Sequence, residues 1–422
     1  MIKRKKAYIY ILIIMFIFTA CSNKNEVVSY DMLNEANYIL SFFGNKYEAA
    51  NVEVLEQILT AYMEENKDIN ISYESIKGND YFSALKNRER AGKLDDIFIV
   101  NHDTMLEFSD NGSLADLTDI VENVPFSEGI KGQMKSSDGK IYWVPTIVSA
   151  FGLYCNIDLL EKHGQKVPQT LGEWKDVCEY FVSHNITPII ANNDISLKTL
   201  AIAKGFYPLY KEGTQVEVFE NINKGKEKLS TYLSEGFALA KEFCVKGYID
   251  VEKTLETNKT SDDLEQFVKG DSPFMLTGAW AAGRVKNMNP NFTFKVVPYP
   301  VLENGSVLVI NPDVCLSVSA KGEHVKLAKD FVSYFLKKEN IWRFADNQSS
   351  FIPLNDEKEP SLNEIRDVVI SYQTQTCVIG SDSYIQFPIW DITMNVSRKL
   401  LQNEDMTQLM QWMDEQVINA KE

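Results

Sequence analysis

The stretch KIYWVPTIVSAFGLYC, residues 140–155, decides the fold. Its first part, KIYWVP, is extended and ends on Pro145, and it runs without a turn into the apolar strand AFGLYC. Proline has no N–H to give to a ladder, so pairing in one sheet stops there before the chain enters the next. A second run, FTFKVVPYPV at 292–301, repeats the device with Pro298 and Pro300. Two such crossings let a chain leave one packed lobe, build a second and return. Prolines on the edge strands of a single sheet give the same pattern. Lobes joined by a few thin strands rotate about them while each core stays packed.

Upstream of this stretch the hydrophobic period alternates. NYILSFFG (37–44) reads as a strand, VEVLEQILTAYMEEN (52–66) as an amphipathic helix with Val54, Ile58 and Tyr62 on one face, and INISYESI (69–76) as a strand. A short helix over 81–93 then leads to DDIFIV (95–100), a buried strand. This is the α/β pattern of a doubly wound sheet, whose ligands sit at the carboxyl ends of the strands. GNKY (44–47) and NHDTM (101–105) follow two such ends, so Asn45, Tyr47, His102 and Asp103 are candidate ligand-binding residues. Ordinary βα turns rich in Asn, Gly and Asp have the same composition.

SSDGKIYWVPTIVSAFGLYCNIDLLEKHGQKVPQTLGEWKDVCEYF (136–181) resembles the hinge segment of bacterial extracellular solute-binding proteins of the maltose-binding type, which feed ABC importers. The resemblance rests on Asp138, Gly139, Lys140, Tyr142, Pro145, Gly152, Asn156, Asp158, Gly164, Pro168, Thr170 and Trp174, in that order. Cys155 departs from it, standing where the family usually has Tyr. Three further stretches, at 93–118, 267–285 and 328–353, resemble family landmarks in the same order. The implied fold is α/β and two-lobed, periplasmic-binding-protein-like, with hinge strands, a ligand cleft between the lobes and two sheets instead of one continuous one. The expected boundaries are an N-terminal lobe of 38–144 plus 302–353 and a C-terminal lobe of 145–300 plus 354–422.

The resemblance also implies site residues. Trp280 and Trp390 match positions from which maltose binders stack a ring on a sugar face, and His102 and Asp103 match the family's HD pair. Asp103 is the leading carboxylate for sugar hydroxyls, with Asn45 and Tyr47 beside it at the start of the cleft. A pyranose has apolar C–H patches on one face and hydroxyls at its rim, so a site for it combines rings with Asp, Asn and Arg. Ser149 occupies a position where maltose binders place a carboxylate, which points to an oligosaccharide or glycoside without specifying maltose. Arg284, able to pair with a carboxylate, keeps a uronic acid open. Trp174 and Trp342 read as core, and Trp143 is ambiguous. The implied partners are a carbohydrate and ABC permease subunits in the membrane, with a monomeric receptor and no cofactor or metal.

Composition bounds the alternatives. The 422 residues, 45% hydrophobic, suffice for large cores, and a net charge of −16 argues against nucleic-acid or anionic-membrane partners. The five cysteines after Cys21 are widely spaced and odd in number, and each reads as a small buried apolar residue. The four histidines show no metal-ligand spacing, and neither a GxSxG elbow nor a Gly-rich phosphate loop supports an enzyme. The alternative is a lipid-anchored binding receptor for another small solute, or a surface adhesion or sensory module that signals to a membrane partner such as a kinase without importing its ligand.

The chain opens MIKRKKAYIYILIIMFIFTACSNKNE. The apolar run behind the basic cluster is shorter than the ~20 residues of a membrane span and has the size of a signal-peptide core. Phe18, Thr19, Ala20 and Cys21 resemble a bacterial lipobox, which implies a signal peptide over 1–20, lipidation of Cys21 and a polar tether over 21–37. A buried N-terminal helix is the alternative. The implied location is the extracellular face of a cell membrane, with a Lys-, Asn- and Ile-rich flavour compatible with a Gram-positive cell. Cys21→Ser should release the protein from the membrane fraction; retention after a salt wash would mean that another segment anchors it.

Overall fold

The computed structural model describes residues 28–30, 36–136, 138–356 and 358–420. The expected signal peptide, the lipobox-like residues 18–21 and the expected lipidation site Cys21 lie outside them. The N-terminal lobe starts from the alternation read above. Strand β2 (Tyr38–Gly44) lies between β3 (Ile69–Ser75) and β4 (Ile97–Val100), parallel to both, with the helices Ala49–Glu65 and Gly78–Arg90 as connections. All four β4 residues are buried, as a strand covered on both faces must be. A three-residue strand, β1 (Val28–Tyr30), pairs antiparallel with β3, so part of the expected tether belongs to the sheet.

The quoted stretch becomes β5 (Val144–Asn156), buried at all thirteen positions. One edge of β5 pairs antiparallel with β11 (Val309–Val318), from Val309 opposite Phe151 to Leu316 opposite Val144. Beyond Phe151 that edge continues against β8 (Phe294–Val297), while β7 (Phe274–Gly278) takes the opposite edge and pairs in turn with β6 (Ile189–Ile190). β11 is shared in the same way: Val309 and Ile310 also pair with β12 (Val378–Ile379), and Cys315 to Val318 also pair with β4. The ladder therefore runs unbroken in the order β1-β3-β2-β4-β11-β5-β7-β6. This corrects the expectation of two separate sheets, because β5 and β11 are long enough to belong to both lobes.

The second crossing also moves. Pro298 ends β8, but β9 (Tyr299–Leu302) and β10 (Gly305–Val307) form a hairpin that stays with the C-terminal lobe, Tyr299, Val301 and Val307 sharing a core with Leu276. On this return the chain does not pass between lobes until 311–314, where β11 has β5 on one edge and, among the described residues, no strand on the other. Side-chain alternation divides the C-terminal sheet between two cores: Leu153, Cys155 and Leu276 face one, Tyr154 and Met275 the other. Cys155, Cys178 and Cys315 are buried as expected, while Cys244 and Cys377 are only partly so. Trp174 is in the core, but Trp342 is not: it is half-buried, with the Lys358 ammonium 3.1 Å from its ring centroid.

The helices Ser196–Glu212 and Ser230–Val245 meet through Gly205 and Gly236. A Cβ at Gly236 would stand 2.1 Å from the Ala201 carbonyl oxygen, and one at Gly205 would stand 2.4 Å from that of Tyr232. Backbone cannot yield as a side chain does, so overpacking here costs about 1–3 kcal/mol. Gly236→Ala should lower the unfolding free energy by that amount in a denaturant titration. Gly132→Ala, in a helix with nothing near the added methyl, should leave it unchanged or raise it.

Candidate functional site

Three groups of residues meet where β5 and β11 cross between the lobes. The first follows β2. The Asn45 carboxamide oxygen is buried without a hydrogen-bond partner. Lys46 has its pKa lowered by burial, against the opposing charges of Asp313 and Glu48. Tyr47 is half-buried, with the Lys77 ammonium 5.5 Å from its ring centroid. Arg284, on the helix Ala282–Asn287 of the other lobe, donates to Glu48 at 2.9 Å and to the Thr260 carbonyl at 3.1 Å. Its carboxylate partner is therefore internal.

The second group follows β4. Asn101 caps the helix His102–Asp110 by accepting from the Thr104 N–H, which places His102 and Asp103 in the first turn. The His102 Nε2 donates to the Ile385 carbonyl at 2.9 Å, a contact that spans 283 residues of sequence, and Nδ1 lies 3.1 Å from Asp103. Asp103, 8% exposed, is thus sequestered by its neighbour. Behind His102 lies a cavity of ≈ 20 Å³ lined by Asn101, Gln133, Trp143, Cys315 and Ser383. Across the cleft the Asp391 carboxyl is pushed up by partial desolvation and by the Asp103 charge.

The third group is aromatic. Phe151 on β5 meets Trp280 edge-on at 5.1 Å and Trp390 at 5.3 Å, so the two expected rings flank one strand residue. Glycine makes both seats. A Cβ at Gly278 would overlap the Trp280 ring at 2.2 Å, and one at Gly380 would stand 2.9 Å from the Trp390 ring. The Lys198 ammonium, 1% exposed, sits 4.1 Å from the Trp390 ring centroid and 2.7 Å from Asp194, which also pairs with Lys259. Burial lowers the Lys198 pKa to about 8, with Asp194 opposing the shift. Burial raises the Asp194 carboxyl, but the two lysines overcome it and hold it below the usual range.

The structure thus gathers Trp280 and Trp390 on Phe151 and brings Arg284 to Glu48, on the segment that carries Asn45 and Tyr47, while His102 and Asp103 are engaged with each other. Lys46, Phe151, Asp194, Lys198, Lys259 and Asp313 were not anticipated. The one signal for the charged group is a Lys four residues after an Asp at the start of the apolar helix run SLKTLAIAKGF. Among the described residues, no group of three or more His, Cys, Asp or Glu is placed to hold a metal ion.

The family model for bacterial extracellular solute-binding proteins matches residues 57–363. The chain belongs to this family. It is 22% identical over 360 residues to the multiple sugar-binding protein of Streptococcus mutans, covering 81% of each chain. It is 20% identical over 352 residues to the melibiose/raffinose/stachyose-binding protein MelE of Bacillus subtilis, covering 81% of this chain and 79% of that one. Among solved structures, a solute-binding protein RafE in complex with raffinose superposes with a TM-score of 0.72 at 21% identity, over 91% of this chain and all of the other. That likeness shows the two-lobed fold of the family's structures.

The buried lysine carries a pH signature. Its folded pKa lies below the ordinary 10.5, so between about pH 8 and 10.5 the unfolded chain holds a proton that the folded one has released, and stability rises with pH in that window. In Lys198→Met this contribution is missing. The melting temperature of the wild type relative to the variant should climb between pH 7.5 and 9.5; a flat difference would contradict the desolvated setting of Lys198.

Proposed function

We propose that this solute-binding protein is a carbohydrate receptor that captures an oligosaccharide or glycoside between its lobes and delivers it to ABC permease subunits. The observation that carries this reading is the aromatic wall of Trp280, Phe151 and Trp390, seated on glycines at the crossing between lobes. Such rings suit the apolar faces of pyranoses, and the unsatisfied Asn45 oxygen is an acceptor for a hydroxyl. The pairing of Arg284 with Glu48 and of Asp194 with two lysines favours a neutral ligand over a uronic acid. Relatives named for melibiose, raffinose and stachyose, for multiple sugars and for maltodextrin support the sugar class. In this reading Cys21 carries the lipid on the extracellular face, the receptor works as a monomer, and residues 38–144 with part of 302–353 rotate against the rest.

A thermal-shift screen of residues 22–422 against raffinose, stachyose, melibiose, maltotriose, amino acids and polyamines tests the class, because a ligand bound only by the folded state raises the melting temperature. A saccharide should give the shift; a shift by polyamines or amino acids alone would overturn the sugar assignment. Loss of an aromatic platform costs about 1–3 kcal/mol, so Trp390→Ala and Trp280→Ala should each weaken saccharide binding roughly five- to hundredfold by calorimetry.

A further inference from the structure

The crossing at 311–314 contains two features that the proposed function does not use. Val314 has a φ of +44°, in the left-handed region that a β-branched residue rarely enters. Such a conformation persists only where its surroundings impose it, and it concentrates at sites that move or bind. Here the imposing contacts are visible. The Val314 N–H donates to the Asp313 carboxylate at 2.7 Å, and its carbonyl accepts from the Thr146 hydroxyl at 2.9 Å, so side chains of both hinge strands clamp this one peptide.

The Asp313 carboxylate is the centre of that clamp. One oxygen takes the Val314 N–H and the other takes the Ser149 hydroxyl of β5 at 2.5 Å. A carboxylate has about four acceptor positions, so two remain. Asp313 is only partly buried, and the charge it faces across the cleft is Lys46, in the loop after β2 that also carries Asn45 and Tyr47. In this arrangement the lobes touch through Arg284 with Glu48 and through His102 with Ile385.

We propose that Asp313 is a further specificity-determining residue, accepting a hydroxyl of the bound saccharide with its free positions while its filled ones hold Val314 in the strained backbone that accompanies lobe contact. The proposal rests on the sugar-binding reading for its first half only. A ligand hydroxyl on Asp313 holds the carboxylate in the position from which it clamps Val314, and the clamp favours the arrangement in which the lobes meet. Binding and closure are therefore joined at one side chain, and a ligand that binds the closed arrangement more tightly shifts the population toward it.

The test uses calorimetry with raffinose, stachyose and maltotriose, and small-angle scattering of the ligand-free protein, on residues 22–422. Asp313→Asn keeps the shape but loses the charge and should weaken the saccharide that binds wild type at least tenfold. Val314→Gly removes the penalty at positive φ, so it should populate the closed arrangement, shrink the radius of gyration of the free protein and tighten binding a few-fold. Wild-type affinity in Asp313→Asn would overturn the contact. Unchanged scattering and affinity in Val314→Gly would overturn the hinge role. If wild type binds none of the three sugars and polyamines or amino acids alone shift its melting temperature, the sugar reading and the contact fall together, while the scattering comparison still decides the hinge.

Discussion

The antiparallel pairing of β5 with β11 is the constraint on which the rest depends. Each strand is long enough to enter both lobes, so the same two strands that connect the lobes also fix where their binding surfaces face. Phe151 pairs with Val309 on one side and Gly278 on the other, and Trp280 follows Gly278 by two residues. Gly380, which seats Trp390, donates its N–H to Ile310 on β11. The aromatic wall is thus attached directly to the strands that cross. A ligand stacked on it lies at the pivot, where a small rotation brings residues of the other lobe onto it.

The electrostatics suit a movable joint. Breaking the buried Lys198–Asp194 pair, which the partly exposed Lys259 joins, would strand charge in the interior, which costs several kcal/mol, so that pair acts as a rigid support beneath Trp390. The contact between lobes is of the other kind. Arg284 and Glu48 are each about 30% exposed, and such a pair contributes about 0–1 kcal/mol. Rigid support on one side and a weak latch across the cleft leave the balance between arrangements to whatever binds there.

Much of this was legible in the sequence because burial leaves periodic traces. β2, β3 and β4 and their helices follow their alternation, and Pro145 marks the entry to β5. The return crossing was misplaced because Pro298 and Pro300 are prominent breakers, whereas VINPDVCLSV looks broken by its own Pro312 and Asp313 and yet forms one ten-residue strand. Lys198 escaped notice because lysine ordinarily marks a solvated face, and only the fold brings Asp194, Lys259 and Trp390 around it. Trp342 sits beside the buried stripe of Ile341, Phe344 and Ala345, and spacing does not reveal that its flank faces the segment carrying Lys358.

Hydrogen–deuterium exchange with and without the saccharide that gives the largest thermal shift is the most direct measure of binding at the crossing. Ligand should protect 45–48 and 101–103 from one lobe, 279–284 and 389–392 from the other, and 311–314 between them, all at the same ligand concentration. Protection confined to one lobe, or located around Trp342 and away from the crossing, would contradict a cleft that closes on its ligand.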